Sequence, residues 1–249
     1  MKVSSWGKTD IGLARDHNED SFLINASLGL YLVADGMGGH AGGEVASRLT
    51  VEVVERELAK LHETAPEIFR GEAPNGALRS ALERAVKEAS REVFERSAAD
   101  PLLHGMGTTL SGILLHGGSA WIAHVGDSRV YLLRDGRITL LTEDHSLVQE
   151  QMKAGILTPE EARHSHLRNI ITRSVGFEAS VPVDIREEPI QEGDLFLLCS
   201  DGLSNLVEDD EILEFAESQP PELLPSTLIE LANARGGDDN ITALVVAIE

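Results

Sequence analysis

Apolar and polar positions alternate in short runs near both ends of the chain and recur at helical spacing between them. DSFLINA at 20–26 and LYLVAD at 30–35 read as strands, with Gly29 marking a hairpin turn. From about Ala41 to His62 the period changes. Val45, Leu49, Val53, Leu58 and Leu61 return every three to five residues and predict one helix. Two prolines and two glycines make Glu63–Gly76 a connector, and a second amphipathic helix is predicted from about Ala77 to Arg96. Strands resume at about Thr109–Leu115, Ala120–His124, Val130–Arg134 and Ile138–Leu141, with turns at HGGS and RDGR. Residues 142–176 read as helix and loop. Further strands are predicted at Val181–Arg186, Leu195–Cys199 and 241–248, and helices at Asp209–Glu217 and Pro221–Ala234.

Helices grouped between sets of hairpin-joined strands predict an α+β fold with antiparallel sheets. The strand–helix–strand alternation of a parallel sheet is absent. Neither a repeat nor a convincing linker interrupts the pattern, so residues 1–249 are expected to form one domain.

Charge narrows the partners. The chain has 21 Lys+Arg against 42 Asp+Glu, a net −21, which argues against nucleic acid or an anionic membrane as partner. An anionic substrate would need a local positive field. With one cysteine, Cys199 in the apolar run LFLLC, no disulfide can form within the chain, and an inert core thiol is expected. The absence of a signal-like or membrane-length apolar run predicts a cytoplasmic protein.

Five aspartates flank apolar strands. Asp35 ends LYLVAD, Asp201 ends LFLLCSD and Asp127 ends AWIAHVGD, whereas Asp20 begins DSFLI and Asp239 precedes ITALVVAI. Antiparallel neighbours run in opposite directions, so an acid ending one strand and an acid beginning the next lie at the same sheet edge. Each alone is ordinary turn chemistry. Converged, they could not all stay ionised without cations, and oxygen-only ligands select hard ions such as Mg²⁺ or Mn²⁺. Zinc is not expected, because the nine histidines show no ligand spacing and no cysteine pair exists.

The stretch Val33–Glu44, VADGMGGHAGGE, admits two readings. Gly36–Ala41 matches a phosphate-cradling G-x-G-x-x-G/A turn, but a second long helix follows where a dinucleotide site needs a parallel strand. Read as a metal loop, the glycines let the backbone turn sharply and present a carbonyl beside Asp35. The second reading fits better.

These residues resemble the metal-dependent protein phosphatases of type 2C, in particular their short bacterial members. The likeness rests on GLARDHNEDSF at 12–22, VADGMGGHAGGE at 33–44, GMGTTL at 105–110, HVGDSRVYLLRDG at 124–136, LTEDHSLV at 141–148, RNIITRSVG at 168–176, LLCSDGL at 197–203 and GGDDNIT at 236–242, in order. The resemblance implies an αββα sandwich of two packed antiparallel sheets flanked by helices, forming a single phosphatase catalytic domain over 1–249 with a mobile flap at 142–176. It implies Mn²⁺ or Mg²⁺, two ions with a third weaker one. Asp35 would bridge both metals, Gly36 would offer its carbonyl, Asp201 and Asp239 would hold the second ion, and Asp127 with Asp201 the third. Asp20 would bind metal or metal-bound water, ahead of its neighbour Glu19. Arg15 would grip the substrate phosphate. The implied reaction is attack of a metal-bridging hydroxide on phosphoserine or phosphothreonine, opposing bacterial Ser/Thr kinases.

One departure concerns the general acid. Many eukaryotic members place a histidine where this chain has Met37, and His40 is the candidate substitute; a structural role for His40, or protonation from metal-bound water, are the alternatives. Ser146, His164 and Arg173 fall in the flap segment and are given no catalytic part. The expected partners are phosphorylated proteins, including Ser/Thr kinases, met by a cytoplasmic monomer. The competing reading is a catalytically silent phosphatase-like binding or regulatory module, whose hallmark would be a lost metal acid. A third is a hydrolase of another phosphoester such as nucleic acid, against which the charge counts.

Overall fold

The computed structural model describes residues 2–38, 42–69, 76–163 and 165–249. In chain order the elements are β1 (Val3–Asp10), β2 (Asp20–Asn25), β3 (Leu30–Met37), α1 (Gly42–Thr64), α2 (Pro66–Phe69), α3 (Ala77–Ala99), β4 (Gly107–Thr108), β5 (Leu110–His116), β6 (Ser119–Val125), β7 (Arg129–Arg134) and β8 (Arg137–Leu140). They continue with α4 (Leu147–Lys153), α5 (Pro159–Arg163), β9 (Asp184–Pro189), β10 (Leu195–Cys199), α6 (Asp201–Ser204), α7 (Asp209–Ser218), α8 (Leu224–Ala234) and β11 (Ile241–Ile248). The strands form two antiparallel sheets, one ordered β1-β11-β10-β7-β8 and the other β2-β3-β5-β6-β9, with β4 pairing on β3.

Alternation along the strands builds three apolar layers. On β11, Ala243 and Val245 face α7 and α8, whereas Leu244 and Val246 face the other sheet. On β3, Leu30, Leu32 and Ala34 face α1 and α3, and Tyr31 and Val33 meet Phe196, Leu198 and Val246 across the middle. The result is the expected αββα sandwich. Because side chains alternate along a strand, Asp35 falls on the same face as Tyr31 and Val33, at the end of the inter-sheet layer. Its register partner across β2 is Asp20.

The structure departs from the predicted elements in four places. β1 carries no strong alternation, and its residues are mostly half-buried; pairing along the whole of β11 makes it a strand. The predicted strand at Val181–Arg186 begins at Asp184, because pairing along its partner β6 ends at His124, opposite Asp184. The Glu63–Gly76 connector contains the single turn α2. Asp201 opens the short helix α6, following β10 by one residue. Cys199 is a buried core thiol, its pKa pushed up to about 12 chiefly by burial.

Candidate metal centre and active site

The acids meet where both sheets end. A cleft of about 550 Å³ is lined by Arg15, Glu19, Asp35, Gly36, Asp127, Asp201 and Asp239, with His17 and Asn169 at its margin. Asp35 and Gly36 come from β3, Asp127 from the β6–β7 turn, Asp201 from the first residue of α6, and Asp239 from the loop entering β11. Five of the sequence-selected residues, Asp35, Gly36, Asp127, Asp201 and Asp239, therefore share one cleft with Arg15. His40 lies outside the described residues. A separate cleft of about 630 Å³, lined by Arg79, Arg129 and Arg186 among others, contains none of the five aspartates.

Close backbone packing sets the aspartates' positions. A Cβ on Gly36 would lie 2.1 Å from the Gly43 carbonyl oxygen, and one on Gly202 would lie 2.1 Å from that of Asn240. Only glycine lets β3 pass under the start of α1, and α6 pack on the β11 entry. The Asp35 carbonyl accepts from Thr109 N–H at 2.8 Å and Thr108 Oγ1 at 2.8 Å, and its own N–H donates to Thr109 Oγ1 at 2.9 Å. Asn205 Nδ2 donates to Asp201 Oδ2 at 3.1 Å.

Asp20 stands opposite Asp35, its register partner, with one carboxylate oxygen left unpaired. Facing between the sheets, it lies behind Asp35 and not on the cleft wall, and its Oδ2 accepts from Ser200 Oγ at 2.7 Å and Thr242 Oγ1 at 2.6 Å. Glu19 lines the cleft instead, because adjacent residues at the start of a strand point to opposite sides. Asn240 lies in the GGDDNIT run. Its Oδ1 accepts from Glu19 N–H at 2.8 Å, and its Nδ2 donates to the carbonyls of Ile11 and His17, both at 2.9 Å. One buried amide thus fixes the loop that carries both Arg15 and Glu19. An amide beside consecutive acids, in a chain where another segment must be held against it, was the available signal.

Electrostatics mark the cluster. Burial raises the Asp35 pKa well above the usual carboxylate range, reinforced by Asp20, Asp201, Asp127 and Asp239. Burial and then Asp201 do the same to Asp127, and burial with Asp239 raises Asp201. Asp20 is pushed up to about 7, mainly by burial, against the lowering effect of its two hydroxyl donors. Glu19 is raised by burial as well. Arg15 Nη2 reaches Asp239 Oδ2 at 2.6 Å, which places the cleft's guanidinium among the acids.

Among the described residues no three acids already stand as a closed ligand set around a single point. Hard dications nonetheless fit the residues present. Asp20 Oδ1 and Asp127 Oδ1 are buried carboxylate oxygens with no hydrogen-bond partner. A buried unpaired carboxylate is costly, and the donors here are oxygen alone.

The geometry has relatives. The Protein phosphatase 2C family profile matches residues 14–231, which leaves Asp239 and β11 beyond the matched stretch. The serine/threonine protein phosphatase PstP of Mycobacterium tuberculosis is 43% identical over 245 residues, 97% of this chain and 44% of that protein. The chain thus spans less than half the length of that relative. A crystal structure of the M. tuberculosis serine/threonine phosphatase PstP/Ppp superposes with a TM-score of 0.88 at 39% identity, covering 99% of both chains. The catalytic domain of PstP in complex with two manganese ions gives a TM-score of 0.82 at 37% identity, again over 99% of each chain. Matched sequence, shared αββα architecture and acids gathered at one sheet edge agree: this chain belongs to the protein phosphatase 2C family.

Proposed function

We propose that the chain is a metal-dependent phosphatase acting on phosphoserine and phosphothreonine in proteins. The observation that carries this reading is the meeting of Asp35, Asp127, Asp201 and Asp239 with Arg15 in one cleft. Asp35, the Gly36 carbonyl, Asp201 and Asp239 would hold two Mn²⁺ or Mg²⁺ ions, and Asp127 with Asp201 a third. When bound, such ions neutralise a phosphoester and acidify the water that attacks it.

The chain's own groups do the rest. Arg15 can turn from Asp239 to clamp two phosphate oxygens, since a guanidinium presents parallel N–H donors that match them. Asp20, fixed at the sheet edge by Ser200 and Thr242, would bind metal or metal-bound water, with Glu19 on the cleft wall as its neighbour. Residues 142–176 would act as the substrate-facing flap of a single catalytic domain. Within this reading the partners are proteins phosphorylated by Ser/Thr kinases, including the kinases themselves, met by a cytoplasmic monomer in signalling. No described helix is long and apolar enough to cross a membrane. The acids that a silent binding module would have lost are all present.

The test is phosphate release from a phosphothreonine peptide with Mn²⁺, and its loss on adding chelator. Release that continues unchanged with the metal sequestered counts against the proposed centre. Silence with Mn²⁺ favours the binding-module reading.

A further inference from the structure

We propose that the groove running from the acid cluster between α4–α5 and α6–α7 seats the residues beside the phosphorylated one, and that it selects substrates carrying arginine or lysine there. This rests on the phosphatase reading above and adds a substrate class to it.

A second cavity, of about 810 Å³, shares Asp127 and Asp201 with the candidate metal cleft. A peptide whose phosphate is bound in the metal cleft can therefore run on into this cavity. Asp127, only 7% exposed, stands at the junction of the two cavities.

The charge of the groove is lopsided. Arg129 lines it but is committed: its Nε lies 3.0 Å from Asp144 Oδ1, its Nη2 2.7 Å from Asp144 Oδ2, and its Nη1 3.0 Å from Tyr131 Oη. Arg168 is the other cation of the lining. Against them stand Glu160 at the start of α5 and Asp209 at the start of α7, whereas Glu208 beside it is engaged in the α7 capping box. Glu160 and Asp209 are exposed and form no ion pair among the described residues. Met152, Pro159 and Val207 supply apolar wall between these acids. An acidic rim over an apolar wall suits a side chain with an aliphatic stem and a cationic tip. At the other end, Arg15 is the guanidinium that would meet the phosphate. The two ends thus match a substrate that carries a phosphate and, a few residues away, a positive charge.

The experiment uses the full chain with Mn²⁺ and phosphothreonine peptides that differ only in having arginine, alanine or glutamate flanking the phosphorylated residue. The readout is the ratio of kcat/KM values between the arginine and glutamate peptides. That ratio is expected to favour arginine by about tenfold and to shrink as salt is raised, as for exposed charge pairs. Glu160→Lys with Asp209→Lys should abolish or invert it. Glu160→Gln with Asp209→Asn, milder at the helix starts, should reduce it by about threefold or more. Equal kcat/KM for the arginine and glutamate peptides in the unmodified chain, or a ratio that neither double variant moves, overturns the assignment. Turnover of 4-nitrophenyl phosphate, measured alongside, separates the two ideas. If that ester is hydrolysed and the peptides are not discriminated, only the groove assignment falls. If neither ester nor peptide is hydrolysed, the phosphatase reading falls and takes the groove with it.

Discussion

At the scale of single residues, the cleft assigns different tasks to groups that look alike in the sequence. Asp239 faces the cleft and meets Arg15, so Asp239→Asn should lower phosphopeptide turnover by about 100-fold or more while leaving the far-ultraviolet circular dichroism unchanged. Substantial remaining turnover would remove it from the centre. Asn240→Ala should do something different. It strands the carbonyls of Ile11 and His17 and the N–H of Glu19, costs about 2–3 kcal/mol in a denaturant titration, and loosens the Arg15 loop so that KM rises. Four cleft acids were legible because each abuts an apolar strand. That Glu19 lines the cleft while Asp20 faces between the sheets was not. Which of two adjacent acids faces outward depends on where the strand begins, and that register is set by pairing across to Asp35. Asn240 was illegible for a related reason, since all three of its partners lie more than 220 residues away in the chain.

At the scale of elements, α7 is held at its start and tied to the end of α8. Glu208 and Glu211 form a reciprocal capping box, and the Glu211 carboxylate also pairs with Arg235 at 2.6 Å. Together these lower the Glu211 pKa to about 2, with the Arg235 hydrogen bond the largest cause. A carboxylate whose folded pKa is depressed stabilises the fold above its unfolded value of about 4.5, and that contribution fades as pH falls toward about 2. Glu211→Gln should therefore lower the melting temperature at neutral pH, and the gap to the unmodified chain should close on acidification. A gap that stays constant from pH 7 to pH 2.5 would deny the linkage. The 142–176 segment is rooted by comparable means. His145 N–H donates to the Gly126 carbonyl at 2.7 Å, and Gly126 N–H returns a bond to His145 Nδ1 at 3.0 Å, one residue before Asp127. Periodicity revealed the long helices and the buried strands, because burial on one or both faces imprints a repeat. It missed β1, whose half-buried side chains leave no such imprint, and α6, which is only four residues long.

At the scale of the whole molecule, acid gathered at one edge must be compensated for the fold to be stable. Mn²⁺ or Mg²⁺ binding only the folded chain should raise its melting temperature, equivalent to about 2.7 kcal/mol at a hundred times Kd. Asp35→Asn should blunt that rise. An unchanged melting curve at saturating Mn²⁺ would sink the proposed centre irrespective of any assay of turnover. The net charge of −21 was readable at once and argued against polyanionic partners, but its placement was not legible. Composition cannot tell an acidic coat from an acidic groove.

The two sheets contribute unequally to the cleft. One brings Asp35, the other frames Asp201 and Asp239, and Asp127 lies on the turn that crosses between them. Phe196, Leu198, Val246, Tyr31 and Val33 are the cement between those halves. No half of the chain, folded alone, would bring Asp35 together with Asp201 and Asp239, so a copy clipped between the halves should lose the acid cleft. Closure of the sandwich is thus what brings the acids face to face.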